Sequence, residues 1–456
     1  MTQPNILIIL TDQQHADMLS CAGNRWLSTP HTDALAAEAV RFERAYAANP
    51  VCVPSRFSLM TGRYPSAIGL QWNVPDDAGK AAAARCYQQA LGWCLRDAGY
   101  DTVYAGKQHL PGGTAEQCGF RVLSTDEREA CARESARFLH DSHDKPFALV
   151  TSLINPHDIC YMAIRDAIGT PYETPAARGL IERGKAEIAA LDDAMRLPEG
   201  VTEQRFYDEL CPPLPANHEP QRDEPAAILE HIRGTFKQHA REHYDERRWR
   251  LHRWAYARLT ERVDREIGIV FDALRASGRD RDTLVIFTSD HGDHDGSHRL
   301  EHKTIPYDEA IRVPLIVRPP GGLDAPRVDR THLVSNGLDL LPSVCAWANA
   351  SPPRDLTGLS VRGLVEDGAG GGAGGRAGGG AWRDSVLVES VVADTVITAS
   401  HQYSLYHDGE NREQLYDLDR DPGQTRNHAS DPALAGVLAE HRRLLAEHVP
   451  SAAPTP

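Results

Sequence analysis

Asn5-Ile6-Leu7-Ile8-Ile9-Leu10-Thr11-Asp12-Gln13-Gln14 opens the chain with a short, unbroken apolar run that ends in polar side chains. A short Ile-rich run of this kind is the pattern of a strand buried on both faces of a parallel sheet. Polar residues that leave such a strand at its carboxyl edge stand where open α/β sheets bind ligands. Thr102–Ala105, Phe147–Leu153, Thr283–Thr288 and Leu315–Val317 repeat the pattern, with helical segments between them, notably Leu91–Ala98 and Trp249–Ala276. This alternation predicts an α/β fold: a large, mostly parallel sheet covered by helices on both faces.

Outward from that sheet the chain divides unevenly. Residues 1–360 read as the α/β domain. Within it, about 166–248 is a polar helical insertion, rich in Glu, Arg and Pro, whose loops could wall a site. Residues 361–381 contain a glycine-rich flexible loop, Gly368 to Gly380, with no turn chemistry of its own. Residues 382–456 read as a small C-terminal α+β subdomain, with strands at Ser385–Glu389 and Val396–Ala399 and a closing helix around Pro432–Glu447. A chain of 456 residues suits one large domain with an appendage.

Apolar residues make up 41 % and charged residues 25 %, enough for a sizeable core and unlike a disordered chain. The formal charge of −15 argues against nucleic acid as a partner, although it does not forbid a small basic pocket for a small anion. Nine cysteines, an odd number without a CxxC pair, read as mostly buried thiols of a reducing compartment. Met1-Thr2-Gln3-Pro4 carries neither a basic n-region nor a cleavage site, and no apolar run approaches a membrane span. A soluble, cytoplasmic protein without membrane contact is therefore expected.

Polar clusters follow several of the buried strands. Asp12-Gln13 follows the first. Tyr104-Ala105-Gly106-Lys107-Gln108-His109 follows the second, and an extended backbone would turn Lys107 and His109 to one side, suiting an anion and a proton transfer. Asn155-Pro156-His157-Asp158 and Ser289-Asp290-His291-Gly292 follow two more, with Lys303 shortly after. Asp290 and His291 pair a hard oxygen donor with an imidazole, acceptable to a divalent ion. Asn49-Pro50-Val51-Cys52-Val53-Pro54-Ser55-Arg56 precedes a helix through Ser55–Thr61, with Pro54 suited to its first turn. Cys52 then sits at a helix N-terminus, where partial positive charge favours an anion. Singly, each cluster is more often structural than functional. Together they converge on one sheet edge.

Cys52-Val53-Pro54-Ser55-Arg56, followed by Met60-Thr61-Gly62-Arg63-Tyr64-Pro65, resembles the Cys-x-Pro-Ser-Arg signature of the sulfatases in the alkaline-phosphatase-like superfamily. The resemblance runs from Asn5 through Leu415-Tyr416-Asp417-Leu418, nearly the whole chain. It implies that a formylglycine-generating enzyme oxidises Cys52 to an aldehyde, which hydrates to a geminal diol. The first hydroxyl takes the sulfuryl group, and deprotonation of the second expels sulfate, a release that an ordinary serine lacks. By position, Asp12, Asp290, His291 and the diol oxygen of residue 52 look like ligands of one divalent metal, with the Gln13 amide oxygen a further candidate. Arg56 looks like the residue that steadies the diol, and Lys107 and Lys303 like those that hold sulfate oxygens. His109 resembles the base that breaks down the sulfated intermediate, and His157 the acid that protonates the departing alcohol.

Two departures bear on the substrate. Many sulfatases have Asp-Asp where Asp12-Gln13 stands, and many have Asn where His291 stands. The present pairs resemble a branch that includes choline sulfatases and phosphonate monoester hydrolases, whereas Lys107-Gln108-His109 looks more like the sulfate-ester branch. Hydrolysis of a small-molecule or saccharide sulfate ester is expected. A phosphonate monoester or phosphodiester hydrolase is the alternative, and a catalytically silent metal- or carbohydrate-binding protein a second. Calcium is the expected ion, with manganese a competitor because an imidazole joins the oxygen ligands.

Overall fold

The structure, a computed structural model, describes residues 3–367 and 381–448. From the N-terminus the chain forms β1 (Asn5–Asp12), β2 (Val40–Phe42), β3 (Ala45–Tyr46), β4 (Asp101–Gly106), β5 (Arg121–Ser124) and β6 (Phe147–Pro156). It continues with β7 (Thr283–Ser289), β8 (Leu315–Arg318), β9 (Arg327–Asp329) and β10 (Val334–Ser335). Eight of these make one sheet in the order β5-β4-β6-β1-β7-β8-β2-β9. All neighbours run parallel except β7–β8 and β8–β2. β3 and β10 pair separately. The expected α/β sheet is present as a mixed one, and the strands read from the sequence lie at its centre.

Parity along β1 explains the double cover. Ile6, Ile8 and Leu10 face one side with Val150 and Ile286, packed against Phe57, Leu95 and Leu341 of the helices Cys52–Thr61, Leu91–Asp97 and Asn336–Ala348. Leu7 and Ile9 face the other with Leu149 and Phe287, packed against Phe138 of the helix Glu129–His140 and Val270 of the helix Glu246–Ala276. That last helix starts three residues before the expected Trp249, because the Asp245 side chain caps it by accepting from Arg248 N at 2.8 Å.

The insertion folds mainly as short helices, among them Pro175–Arg183, Lys185–Ala194, Ala226–Ile232 and Phe236–His243. The glycine-rich run Gly368 to Gly380 lies outside the described residues. The loop assigned to 361–381 does not begin at 361: Arg362–Glu366 is helical, because Leu364 and Val365 bury against the core. At the C-terminus β11 (Ser385–Glu389), β12 (Ala393–Thr398), β13 (His401–Tyr406) and β14 (Glu413–Asp417) form an antiparallel sheet in sequence order. β12 begins three residues before the expected Val396 and stops at Thr398, since residues 399–400 make the turn into β13. The helix Ala435–His448 covers this sheet through Leu438 and Leu445. No helix among the described residues is long and apolar enough to cross a membrane.

Candidate active site

β1 and β7 are hydrogen-bonded neighbours, so their carboxyl ends deliver Asp12 and Gln13 beside Asp290 and His291. The helix Cys52–Thr61 starts three residues earlier than the sequence suggests, with Val51 extended as its cap, and Cys52 is its first residue. β4 ends at Gly106, whose φ of +94° would strain any other residue. A Cβ there would meet Ser152 O at 1.9 Å, so only glycine lets the chain turn Lys107 inward. β6 ends at Pro156, immediately before His157.

These side chains form a buried ionic cluster. Arg56 is 1 % exposed and donates from Nε to Asp290 Oδ2 at 2.8 Å and from Nη2 to Asp12 Oδ2 at 2.9 Å. Its Nη1 donates to Lys107 O at 3.0 Å and to Ser152 Oγ at 2.8 Å. Lys107 Nζ reaches Asp12 Oδ2 at 2.8 Å. Lys303 Nζ stands 3.0 Å from Cys52 Sγ and donates to Gln13 Oε1 at 2.7 Å. His291 Nε2 lies 3.2 Å from Cys52 Sγ, while its Nδ1 is 2.9 Å from Gly292 O. A proton on Nδ1 would satisfy that carbonyl and leave the Nε2 lone pair toward Cys52.

One ligand atom from each of Asp12, Cys52, Asp290 and His291 lies within 4.8 Å of the others. Arg56 and Lys107 bind Asp12 through Oδ2, and Oδ1, 3.8 Å from Cys52 Sγ, stays on the side of the cluster. Two carboxylates, an imidazole and an oxygen on residue 52 fit a divalent ion.

Charge sets the proton positions. Burial and Asp12 push the Cys52 thiol up, but Lys303, His291 and Lys107 outweigh them and hold it well below its ordinary range. Burial raises Asp12 too, and Lys107 and Arg56 more than reverse this. Asp290 is pushed up to about 6, by burial first and then by Asp12. His157 is brought down to about 3 by burial and by Lys107, so its resting imidazole is neutral. Arg56, Lys107 and Lys303 balance Asp12, Asp290 and one further anion, which here is the Cys52 thiolate at the nucleophile position.

The structure joins Asp12, Gln13, Cys52, Arg56, Lys107, Asp290, His291 and Lys303 by direct contacts, and places His157 within electrostatic reach of Asp12, Lys107 and Lys303. His109 is not brought in. It is exposed with φ +44°, so the extended backbone that would align it with Lys107 is absent. Arg56 makes its hydrogen bonds to the carboxylates and to the Lys107 carbonyl and Ser152, rather than to residue 52. The Gln13 amide oxygen is taken by Lys303 and, at 3.1 Å, by Cys160 Sγ. Sequence reasoning missed Cys160, Ser152 and Asn73, whose Oδ1 accepts from Val53 N at 3.1 Å beside the nucleophile position. None carries a local signal, because each contact crosses between elements.

The family profile described as Sulfatase matches residues 4–350, and one described as N-sulphoglucosamine sulphohydrolase, C-terminal, matches residues 296–449. The chain is 27 % identical over 467 residues to a Delta 4,5-hexuronate-2-O-sulfatase of Bacteroides thetaiotaomicron, which spans 98 % of this chain and 89 % of that protein. Among solved structures, a 2-O GAG sulfatase superposes with a TM-score of 0.77 at 24 % identity, covering 98 % of this chain and 92 % of the other. The phosphonate monoester hydrolase of Agrobacterium radiobacter superposes with a TM-score of 0.69 at 21 % identity, covering 98 % and 96 %. At these identities the two superpositions show a shared fold.

Proposed function

The chain belongs to the sulfatase family and is a sulfuric ester hydrolase, and from that premise we propose that it cleaves saccharide sulfate monoesters with a formylglycine made from Cys52. The observation that carries this reading is the position of Cys52 Sγ, 3.0 Å from Lys303 Nζ and 3.2 Å from His291 Nε2 in a buried ionic cluster. There Sγ stands in for the hydroxyl oxygens of the hydrated aldehyde. The relative named as a Delta 4,5-hexuronate-2-O-sulfatase supports a saccharide leaving group.

Asp12, Asp290, His291 and residue 52 would hold a divalent ion, Ca2+ or Mn2+. When bound, the ion supplies Lewis acidity toward a sulfate oxygen and lowers the pKa of the diol. Arg56 fixes the two carboxylates by bonding both. Lys107 and Lys303 bear the charge that builds on the sulfate oxygens. One hydroxyl of residue 52 gives its proton to His157, neutral at rest and hydrogen-bonded to the residue 52 side chain, and bonds to sulfur as the sulfur–oxygen bond to the saccharide breaks; His157 passes that proton to the departing oxygen. His109, exposed at the rim, is the base that the family resemblance assigns to the proton of the second hydroxyl. The bond from the residue 52 carbon to the sulfate oxygen then breaks, freeing sulfate and the aldehyde.

Protein made with an active formylglycine-generating enzyme should show the Cys52 peptide shifted from thiol to aldehyde or hydrate, and should release inorganic sulfate from saccharide sulfates. Full turnover with an intact thiol would overturn the covalent chemistry. A phosphonate monoester or phosphodiester hydrolase is the second reading, favoured by Gln13 and His291 in the ligand positions. Such esters also carry one negative charge, which the three cations accept equally well. The rate ratio on matched aryl sulfate and aryl phosphonate esters separates the two.

A further inference from the structure

One group of side chains, joined to the site through Lys303, is left unused by this chemistry. The segment Gln71-Trp72-Asn73-Val74 is pinned to the first turn of the nucleophile helix by Asn73 Oδ1, which accepts from Val53 N at 3.1 Å. On either side of that anchor Trp72 is 39 % exposed and Val74 81 %, two of the few large apolar side chains shown to solvent among the described residues. Opposite stands the insertion. His231, from the helix Ala226–Ile232, meets Trp72 edge to face with ring centroids 5.9 Å apart. Lys237, from the helix Phe236–His243, places Nζ 3.4 Å from His231 Nε2 and 3.4 Å from Lys303 O.

Lys303 also touches the Cys52 position through its own Nζ, so one residue joins the nucleophile to the Lys237 wall. A lysine side chain spans about 6 Å, on the order of one sugar ring, taking roughly 1.5 Å per bond. Lys237 pairs with no described carboxylate. Glu301 acts on it from a distance, but its Oε2 is engaged by His302 Nδ1 at 2.5 Å. Burial, with Lys303 nearby, brings Lys237 down to about 8 against the opposing effect of Glu301, so it remains largely charged at neutral pH. His231 is brought down to about 3 by burial and Lys237, and its neutral Nε2 accepts from the lysine.

An exposed indole joined through His231 to an ammonium that has no carboxylate partner among the described residues is an arrangement that suits a flat apolar ring face bearing a negative substituent. We infer that Trp72, His231 and Lys237 form the leaving-group subsite, which takes a pyranose ring against Trp72 and a second negative charge of the saccharide on Lys237. The inference rests on the sulfatase reading above and adds a class of substrate to it: saccharide sulfates that carry a further anion. His231 is a positioning residue that holds Lys237 toward the ring. A uronate carboxylate and a second sulfate both supply the charge.

The test compares kcat/KM on glucose 2-sulfate, glucuronic acid 2-sulfate and glucose 2,6-disulfate, by release of inorganic sulfate from matured, metal-loaded protein. The native protein should prefer at least one dianionic ester over the neutral sugar ester by roughly ten-fold or more, chiefly through KM, the size expected for one charge-assisted contact. Whichever dianion is preferred identifies the source of the charge. Lys237→Gln should bring the ratio close to one, and Lys237→Arg should restore most of it. Inhibition of the native protein by unsulfated glucuronate, against glucose, gives a second readout that needs no variant: the acid should inhibit at a lower concentration. Equal kcat/KM for all three esters, or a preference that survives Lys237→Gln, overturns the subsite. Absence of sulfate release from every ester, choline sulfate and aryl sulfates included, instead overturns the sulfatase reading beneath it.

Discussion

Two neighbouring parts of the molecule, joined through Lys303, are built by opposite means. The sheet-edge wall holds Asp12, Arg56, Lys107, Asp290 and His291 at exposures between 0 % and 5 %, each tied to a strand end or to the first turns of a buried helix. The other part holds Trp72, His231 and Lys237 on a loop and two short helices, all partly exposed. Groups that stabilise charge in a reaction act best when their dipoles are fixed beforehand and water is excluded. Groups that choose a leaving group need only meet it, and such residues sit on loops and insertions. The contrast separates what the chemistry holds constant from what specificity varies.

The largest test strikes the sheet-edge wall. Cys52→Ala should lower sulfate release by on the order of ten thousand-fold or more, because the nucleophile itself is gone, while thermal melting shows the fold retained. Substantial turnover by that variant would break the comparison at its root. Next, Asp290→Asn removes one partner of a buried ion pair with Arg56 and should cost about 3–5 kcal/mol of stability, besides metal content and activity. Chelation should remove activity at a far smaller cost in melting temperature, since the sheet keeps its own core. A chelated protein as unstable as the Asp290→Asn variant would mean that the ion, not Arg56, organises the wall.

A third effect is conditional. His157→Ala should lower turnover of saccharide sulfates about a hundred-fold but affect nitrophenyl sulfate little, because a good leaving group needs no proton. Equal losses on both would remove the acid role. The smallest effect on stability belongs to the rim. His109→Ala should change stability by about 0.5 kcal/mol or less, as its side chain is exposed. In rapid mixing it should still release a burst of alcohol and then stall with sulfate attached to residue 52. A burst without trapped sulfate would leave His109 outside the chemistry.

What was legible in the sequence follows the same division. Ile6 to Leu10 and Leu284 to Phe287 announce central strands because both of their faces are buried, and the polar residues after them are those that the parallel register of β1 and β7 brings together. The helix at Cys52 was read three residues late, since Pro54 fits any place in a first turn and nothing local marks Val51 as the cap. β2 and β9 are three residues each, too short to show a period. His109 was misaligned because alternation presumes extended backbone, and a left-handed φ gives no sign in the sequence. Lys237 was invisible for a different reason. Its partners are the Lys303 carbonyl, far away in the chain, and the His231 imidazole on the preceding helix, and neither pairing carries a local signal.

The depth of Cys52 also orders events in time. At 1 % exposure, and as the first residue of a helix buried along its whole length, it gives a second protein no access once the chain has folded. On the chemistry proposed, conversion of this thiol therefore belongs to the interval between synthesis and collapse of the core, and competes with folding as one rate against another. A slower-folding variant should emerge more fully converted. Native precursor, presented to the same maturation enzyme, should stay a thiol until it is unfolded.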